Sequence, residues 1–115
     1  MITGSILLST KKALGLDQEY EAFDTDIIMD INAALMVLQQ LGVGPPEGMV
    51  VTSKDEKWSD FLADQTDKNL SAVQQYVYMS VRLAFDPPNN SSVMDSIRKR
   101  MDELEWRLDM QQEHG

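Results

Sequence analysis

The chain has 115 residues, enough for one hydrophobic core and too few for two domains of ordinary size, and its 43% apolar and 25% charged content is ordinary for a folded globule. The absence of cysteine excludes disulfide frameworks and thiolate metal sites, and a net charge of −9 opposes attraction to nucleic-acid phosphates. No apolar run approaches the roughly 18 residues of a membrane span, so no membrane association is expected.

The acid excess is uneven. Residues 1–67 hold 12 acids against four lysines, net −8, whereas residues 68–115 hold seven acids against six bases, net −1. Solubility alone accounts for such a charge. The opening MITGSILLSTKKALG carries no basic leader before its apolar residues, so a protein kept in the cytoplasm is expected.

Ile6, Leu7, Thr10, Ala13 and Leu14 share one helical face. Thr3 or Ser5 can cap its start and Gly15 can stop it in a left-handed turn, which predicts a first helix. In EYEAFDTD, Asp24 as N-cap leaves Asp26 in the first turn, where the helix dipole favours a carboxylate, and sets Phe23 against Ile28 as a hydrophobic staple. The second helix then buries Ile27, Ile28, Ile31, Ala34, Leu35, Leu38 and Leu41. It ends at GVGPPEG, since Gly42 and Gly44 favour unwinding and Pro45 and Pro46 cannot continue the hydrogen bonds. That loop lacks the lysine and following hydroxyl residue of a phosphate cradle.

MVVT, Met49 to Thr52, allows either a loop or a short strand in a small β-hairpin. Ser53 and Glu56 have capping-box spacing and lead into a short helix with Trp58, Phe61 and Leu62 on one face. Asp64 to Lys68 is a polar joint. From about Asn69 to Phe85 a third long helix carries two apolar stripes, Leu70, Val73, Val77, Val81 and Ala84 beside Ala72, Tyr76, Met79 and Leu83, which places it at the centre of the fold. Arg82 interrupts them: its stem can lie on apolar surface while the guanidinium reaches a carboxylate or the solvent, and a structural ion pair is favoured over a ligand-binding role.

Pro87 disfavours helical geometry at Asp86 and Pro88 extends the break, so this helix ends there. Asn89 and Asn90 turn the chain, and Ser91 or Ser92 supplies the next N-cap. The last helix runs to about Gln112, roughly 30 Å, with Val93, Ile97, Met101, Leu104 and Leu108 as its stripe. Trp106 points almost opposite to that stripe, with Met110 one turn beyond. Either this helix packs on two sides within the subunit or it offers Trp106 and Met110 to a partner, since aromatic and methionine side chains are favoured interface anchors. Asp95, Lys99, Glu103 and Arg107 form an i,i+4 charge ladder worth roughly a few tenths of a kcal/mol per pair.

Little here suits catalysis. His114, the only histidine, stands next to the last residue, and the acids follow no EF-hand pattern. The one basic cluster, Arg98, Lys99 and Arg100, is surrounded by Asp95, Asp102, Glu103 and Glu105 and reads as a solvated helix face. The residues thus predict an acidic, non-enzymatic, mainly all-α domain over 1–115, with no cofactor, no metal and no catalytic residue. It comprises a bundle of about four helices plus a short helix, a loop or small β-hairpin after the second, and a long C-terminal helix over about 92–112.

VQQYVYMSVRLAFDPPNNSSVMDSIRKRMDELEWRLDM, Val73 to Met110, resembles the C-terminal half of the small head-tail connector proteins of tailed bacteriophages. In that family a helix of the type V-x-x-Y-V-x-x-x-V-R-L-x-F-D-P-P precedes a Ser-capped helix ending near L-E-W-R-L. FDTDIIMDINAALMVLQQLGVGP and KWSDFL extend the resemblance over nearly the whole chain. It implies an adaptor in the virion, assembled in the bacterial cytoplasm as a ring commonly of twelve copies. The ring would sit beneath the portal protein, join it to a tail-proximal connector or stopper protein, and leave a channel for DNA that it does not read by sequence.

By the same resemblance the last helix docks on the portal through Trp106, Arg107, Leu108 and Met110, and Asp86, Pro87 and Pro88 act as the hinge that sets its angle. Glu47, Met49, Val51, Asp55 and Glu56 would face the channel or a neighbouring subunit. An acidic lumen would let DNA slide rather than grip it. Two other readings stay open on the residues alone: a helical regulatory protein that binds a partner through its last helix, and a small DNA-binding regulator using Arg98 to Arg100.

Overall fold

The N-terminal helix starts where a serine cap permits. In the computed structural model, which describes residues 4–62 and 67–114, with the backbone alone at 67–68 and 111–114, Ser5 holds an extended backbone and its Oγ accepts the Leu8 N–H at 3.2 Å. Helix α1 (Ile6–Ala13) follows and closes at Gly15 as the sequence predicts. Thr3, the other candidate cap, lies outside the described residues.

Helix α2 (Asp24–Gln40) departs from expectation at its first turn. Asp24 is the first helical residue rather than the N-cap, and Phe23 fills the cap position with no side-chain bond. The reason is Lys11: it is buried, its ammonium needs a counter-charge, and it takes Asp24 at 2.8 Å together with the Gln18 carbonyl at 2.9 Å. Phe23 meets Tyr20 and Phe85 edge to face. Along the helix Ile27, Ile31, Ala34, Leu35 and Leu38 are buried, as the periodicity predicts. Gly42 (φ +88°) ends it in a Schellman closure, its own N–H on the Gln39 carbonyl and that of Val43 on the Leu38 carbonyl, both at 3.0 Å.

Residues 49–57 form no hairpin, because α2 satisfies their backbone instead. Asn32 Nδ2 donates to the Val51 carbonyl at 2.9 Å, Asn32 Oδ1 accepts the Val51 N–H at 2.8 Å, and Gln39 Nε2 donates to the Met49 carbonyl at 3.2 Å. One side chain thus supplies the two bonds a neighbouring strand would make. Ser53 and Glu56 do bond to each other, yet they close a turn and start no helix. The N–H groups of Ile6 and Trp58 reach the carbonyls of Glu56 and Gly4, each at 3.0 Å, and this antiparallel bridge keeps residues 56–58 extended against the N-terminus. Helix α3 (Trp58–Phe61) begins only after it, with Asp60 Oδ2 accepting the Lys57 N–H at 2.8 Å.

Helix α4 (Asp67–Phe85) takes the central place, packed against α1, α2 and α5 (Ser91–His114). Of the predicted polar joint, residues 64–66 lie outside the described residues and 67–68 are already helical. Leu70, Val73, Tyr76, Val77 and Val81 are buried, while Ala84 in the last turn is exposed. Arg82 is exposed and forms no ion pair among the described residues, contrary to the structural pair its position suggested. Trp58 ties the loop region to this centre: it is buried, donates its indole N–H to Ser9 Oγ at 2.9 Å and meets Tyr78 edge to face. The fold is all-α, with five helices and no strand among the described residues.

Candidate functional site

The corner between α4 and α5 follows from its residues. The Asp86 N–H makes the last helical bond, to the Arg82 carbonyl at 2.9 Å, and Pro87 has no N–H with which to make another. The next cap is Asn90 rather than either serine: its Oδ1 accepts the N–H groups of Ser92 at 2.8 Å and Val93 at 3.2 Å. Asparagine caps as well as serine does, and it stands one residue closer to the prolines. Asp86 and Pro87 are exposed and Pro88 is half-buried.

Beyond the corner α5 divides into two halves. In residues 91–99 most side chains are exposed, and Val93, first residue of the predicted stripe, is 45% exposed. From Arg100 to Leu108 the helix is docked on α4. Leu104 and Leu108 are buried, the Tyr76 hydroxyl donates to Glu105 Oε2 at 2.9 Å, and Arg100 Nη2 donates to Gln75 Oε1 at 3.3 Å. Burial of the phenol and the adjacent Glu105 carboxylate raise the Tyr76 pKa, so the hydroxyl stays a donor. The charge ladder forms in altered register: Glu103 pairs with Arg107 at 2.6 Å and with Arg100 at 3.4 Å, and Asp95 reaches Arg98 at 3.9 Å, leaving Lys99 out of it.

This docking separates the four candidate partner residues. Trp106 is 64% exposed, so the subunit does not pack it from a second side. Arg107 is exposed beside it and ion-paired, and Met110 is half-buried. Leu108 belongs to the core, where Leu104 and the flank of α4 already hold it, so its side chain is not presented to a partner.

The loop candidates divide the same way. Glu47 and Asp55 are exposed. Val51 is buried, clasped by Asn32, and Met49 is half-buried against the core, so neither presents its side chain outward. Glu56 is turned inward on its own loop, with Oε1 accepting the N–H groups of Ser53 at 3.0 Å and Thr52 at 3.2 Å, and Oε2 the Thr52 hydroxyl at 2.8 Å. Partial burial would raise its pKa, but these bonds outweigh it and hold the carboxyl at about 2. The outward apolar residue of the loop is Val50, which alternation with Val51 requires.

A second outward face was not singled out from the sequence. Met29 and Met36, 66% and 59% exposed, lie seven residues apart on the side of α2 opposite its buried stripe, with exposed Ala33 between them. Two methionines at helical spacing opposite the core stripe are the signal that marks it. Among the described residues no group of histidine and acidic side chains could hold a metal ion, and no helix is long and apolar enough to cross a membrane.

The sequence matches a family described as "Phage connector protein" over residues 6–115, from the start of α1 to the C-terminal residue. No curated protein and no solved structure gives a significant match.

Proposed function

The chain belongs to the phage connector proteins, structural components of the virion, and we propose from that membership that it forms a ring beneath the portal protein, joining the capsid to the tail. The observation that carries the portal contact is Trp106: a large aromatic, 64% exposed, on a helix whose opposite face is locked into the core by Leu104 and Leu108. Exposing an indole in this way forgoes roughly 2 kcal/mol of burial, which a partner recovers by covering it. Half-buried Met110 and ion-paired Arg107 flank it as the rest of that contact.

The hinge at Asp86, Pro87 and Pro88 fixes the angle at which α5 presents Trp106, since no continuous helix crosses it. The ring has twelve copies, a tail-proximal connector or stopper protein on its far side, and a channel through which DNA passes unread. The net charge of −9 suits a lumen that repels phosphate, and the exposed carboxylates of Glu47 and Asp55 are candidates to line it. The role is architectural and needs no chemistry from the chain. It is tested by binding of the protein to the portal encoded in the same genome, wild type against Trp106→Ala.

A further inference from the structure

Between the start of α2 and the end of α4 runs a groove of about 550 Å³ that combines an apolar floor with an acidic rim. Phe23, Met29 and Phe85 supply the floor, and Asp26, Asp30 and Asp86 the rim. Phe23 and Met29 are both exposed, so the subunit leaves this floor largely uncovered. No ion pair to any of the three carboxylates forms among the described residues. Burial and the neighbouring Asp26 raise the pKa of Asp30, the response of a carboxylate held near another without a cation.

The chain carries a complement to this groove elsewhere on itself. Residues 91–100 of α5 contain Arg98, Lys99 and Arg100 against the single acid Asp95, in a chain that is otherwise strongly acidic. This half of α5 is also the poorly covered one, with Val93 exposed and Arg98 paired only at 3.9 Å. The two surfaces flank different sides of α4: Gln75 and Tyr76 of α4 turn to α5, whereas Phe85 turns to Phe23 before α2.

We infer that the groove receives the N-terminal half of α5 from a second copy of the chain, Val93 meeting Phe23 and Met29 while Arg98 and Lys99 meet Asp26, Asp30 and Asp86. The contact is head to tail, between unlike surfaces, and such contacts propagate into a ring when the rotation closes. The inference rests on the ring reading above and supplies the subunit contact that it lacks. Trp106 points away from Val93 and lies two helical turns beyond Lys99, on the docked half of α5, so the subunit contact and the portal contact occupy different stretches of the helix.

Charge reversal tests it. Asp26→Lys with Asp30→Lys makes both surfaces basic, and Arg98→Glu with Lys99→Glu makes both acidic. Assembly is read by sedimentation velocity of the protein alone and, in parallel, by copies bound per portal particle. Each variant by itself is expected to need about tenfold or more higher concentration than wild type to assemble, and an equimolar mixture of the two to recover assembly, because every groove then faces an oppositely charged helix. Circular dichroism checks that both variants keep the wild-type helix content, as expected for substitutions at the surface, where Asp26, Arg98 and Lys99 are exposed and Asp30 is half-buried. If wild type assembles and the variants assemble equally well alone, or if the mixture does no better than its components, this contact is wrong and the ring reading stands. If wild type forms no multimer alone or on portal, both fall.

Discussion

Asn32 holds Val51 by both halves of its amide, donating to the Val51 carbonyl at 2.9 Å and accepting the Val51 N–H at 2.8 Å across 19 residues of chain. The clasp lets the segment after α2 stay extended without a partner strand and seats Val51 in the core. Asn32→Ala leaves both backbone groups without those bonds. It is expected to cost about 2 kcal/mol, measured by urea denaturation, with more rapid amide exchange at Val51 than in the helices.

Gly44 approaches Phe61 so closely that a Cβ would lie 2.6 Å from its ring, and its φ of +95° disfavours any other residue. Gly15 has a similar φ, +80°, but open space around it. Gly44→Ala is therefore expected to destabilise the protein more than Gly15→Ala, by about 1–3 kcal/mol for the overpacking. Equal losses in paired melts would show that the Phe61 ring moves aside freely.

The carboxyl of Glu56 is held at about 2 by the Thr52 and Ser53 donors, below its ordinary value of 4.5. A carboxylate with a depressed folded pKa contributes stability above its unfolded pKa and loses that contribution as pH falls through the folded one. Wild type is thus expected to exceed Glu56→Gln in melting temperature at pH 6, with the difference shrinking between about pH 4.5 and pH 2. A difference that stays constant over that range would show that the charge of Glu56 is not what closes the turn.

Trp106→Ala is expected to change unfolding free energy by no more than about 0.5 kcal/mol, as for an exposed position, while weakening portal binding by about tenfold or more. Leu108→Ala, two residues along and on the opposite, buried face of α5, is expected to cost about 2–5 kcal/mol of stability. The contrast separates the helix face that folds from the face proposed to bind.

Replacing Pro87 and Pro88 together with Ala removes the block that ends α4, and the corner loosens. Helix content and melting are expected to change little, whereas assembly on the portal drops. Wild-type assembly by the double variant would mean that the angle of α5 is set by its docking on α4 alone.

The helical stripes were legible because burial on a helix repeats with its own period: Ile27, Ile31 and Leu38 of α2, or Val73, Val77 and Val81 of α4, announce themselves. The corner was legible too, since proline acts locally. What the sequence hid depends on distant partners. Asn32 replaces the missing strand from 19 residues away, and buried Lys11 draws Asp24 out of its capping role. Likewise the stripe of α5 reads the same along its length, yet Leu104 and Leu108 are buried and Met101 packs partly against the core while Val93 is exposed. At the site, opposition to the stripe set Trp106 apart from the core without deciding between a second packed side and a free face, and the structure leaves it exposed; the burial of Val51 and the inward turn of Glu56 follow from a loop path that no local pattern encodes.

We propose that this connector adds a ring to the portal through the outer face of α5. The measurement that tests it most directly is electron microscopy of the purified protein mixed with the portal encoded in the same genome. A ring of added density is expected at the tail-proximal end, matching the portal's symmetry, with Trp106 of each copy buried against the portal. Well-formed portal particles with no added density, at protein concentrations far above those of the portal, would contradict it.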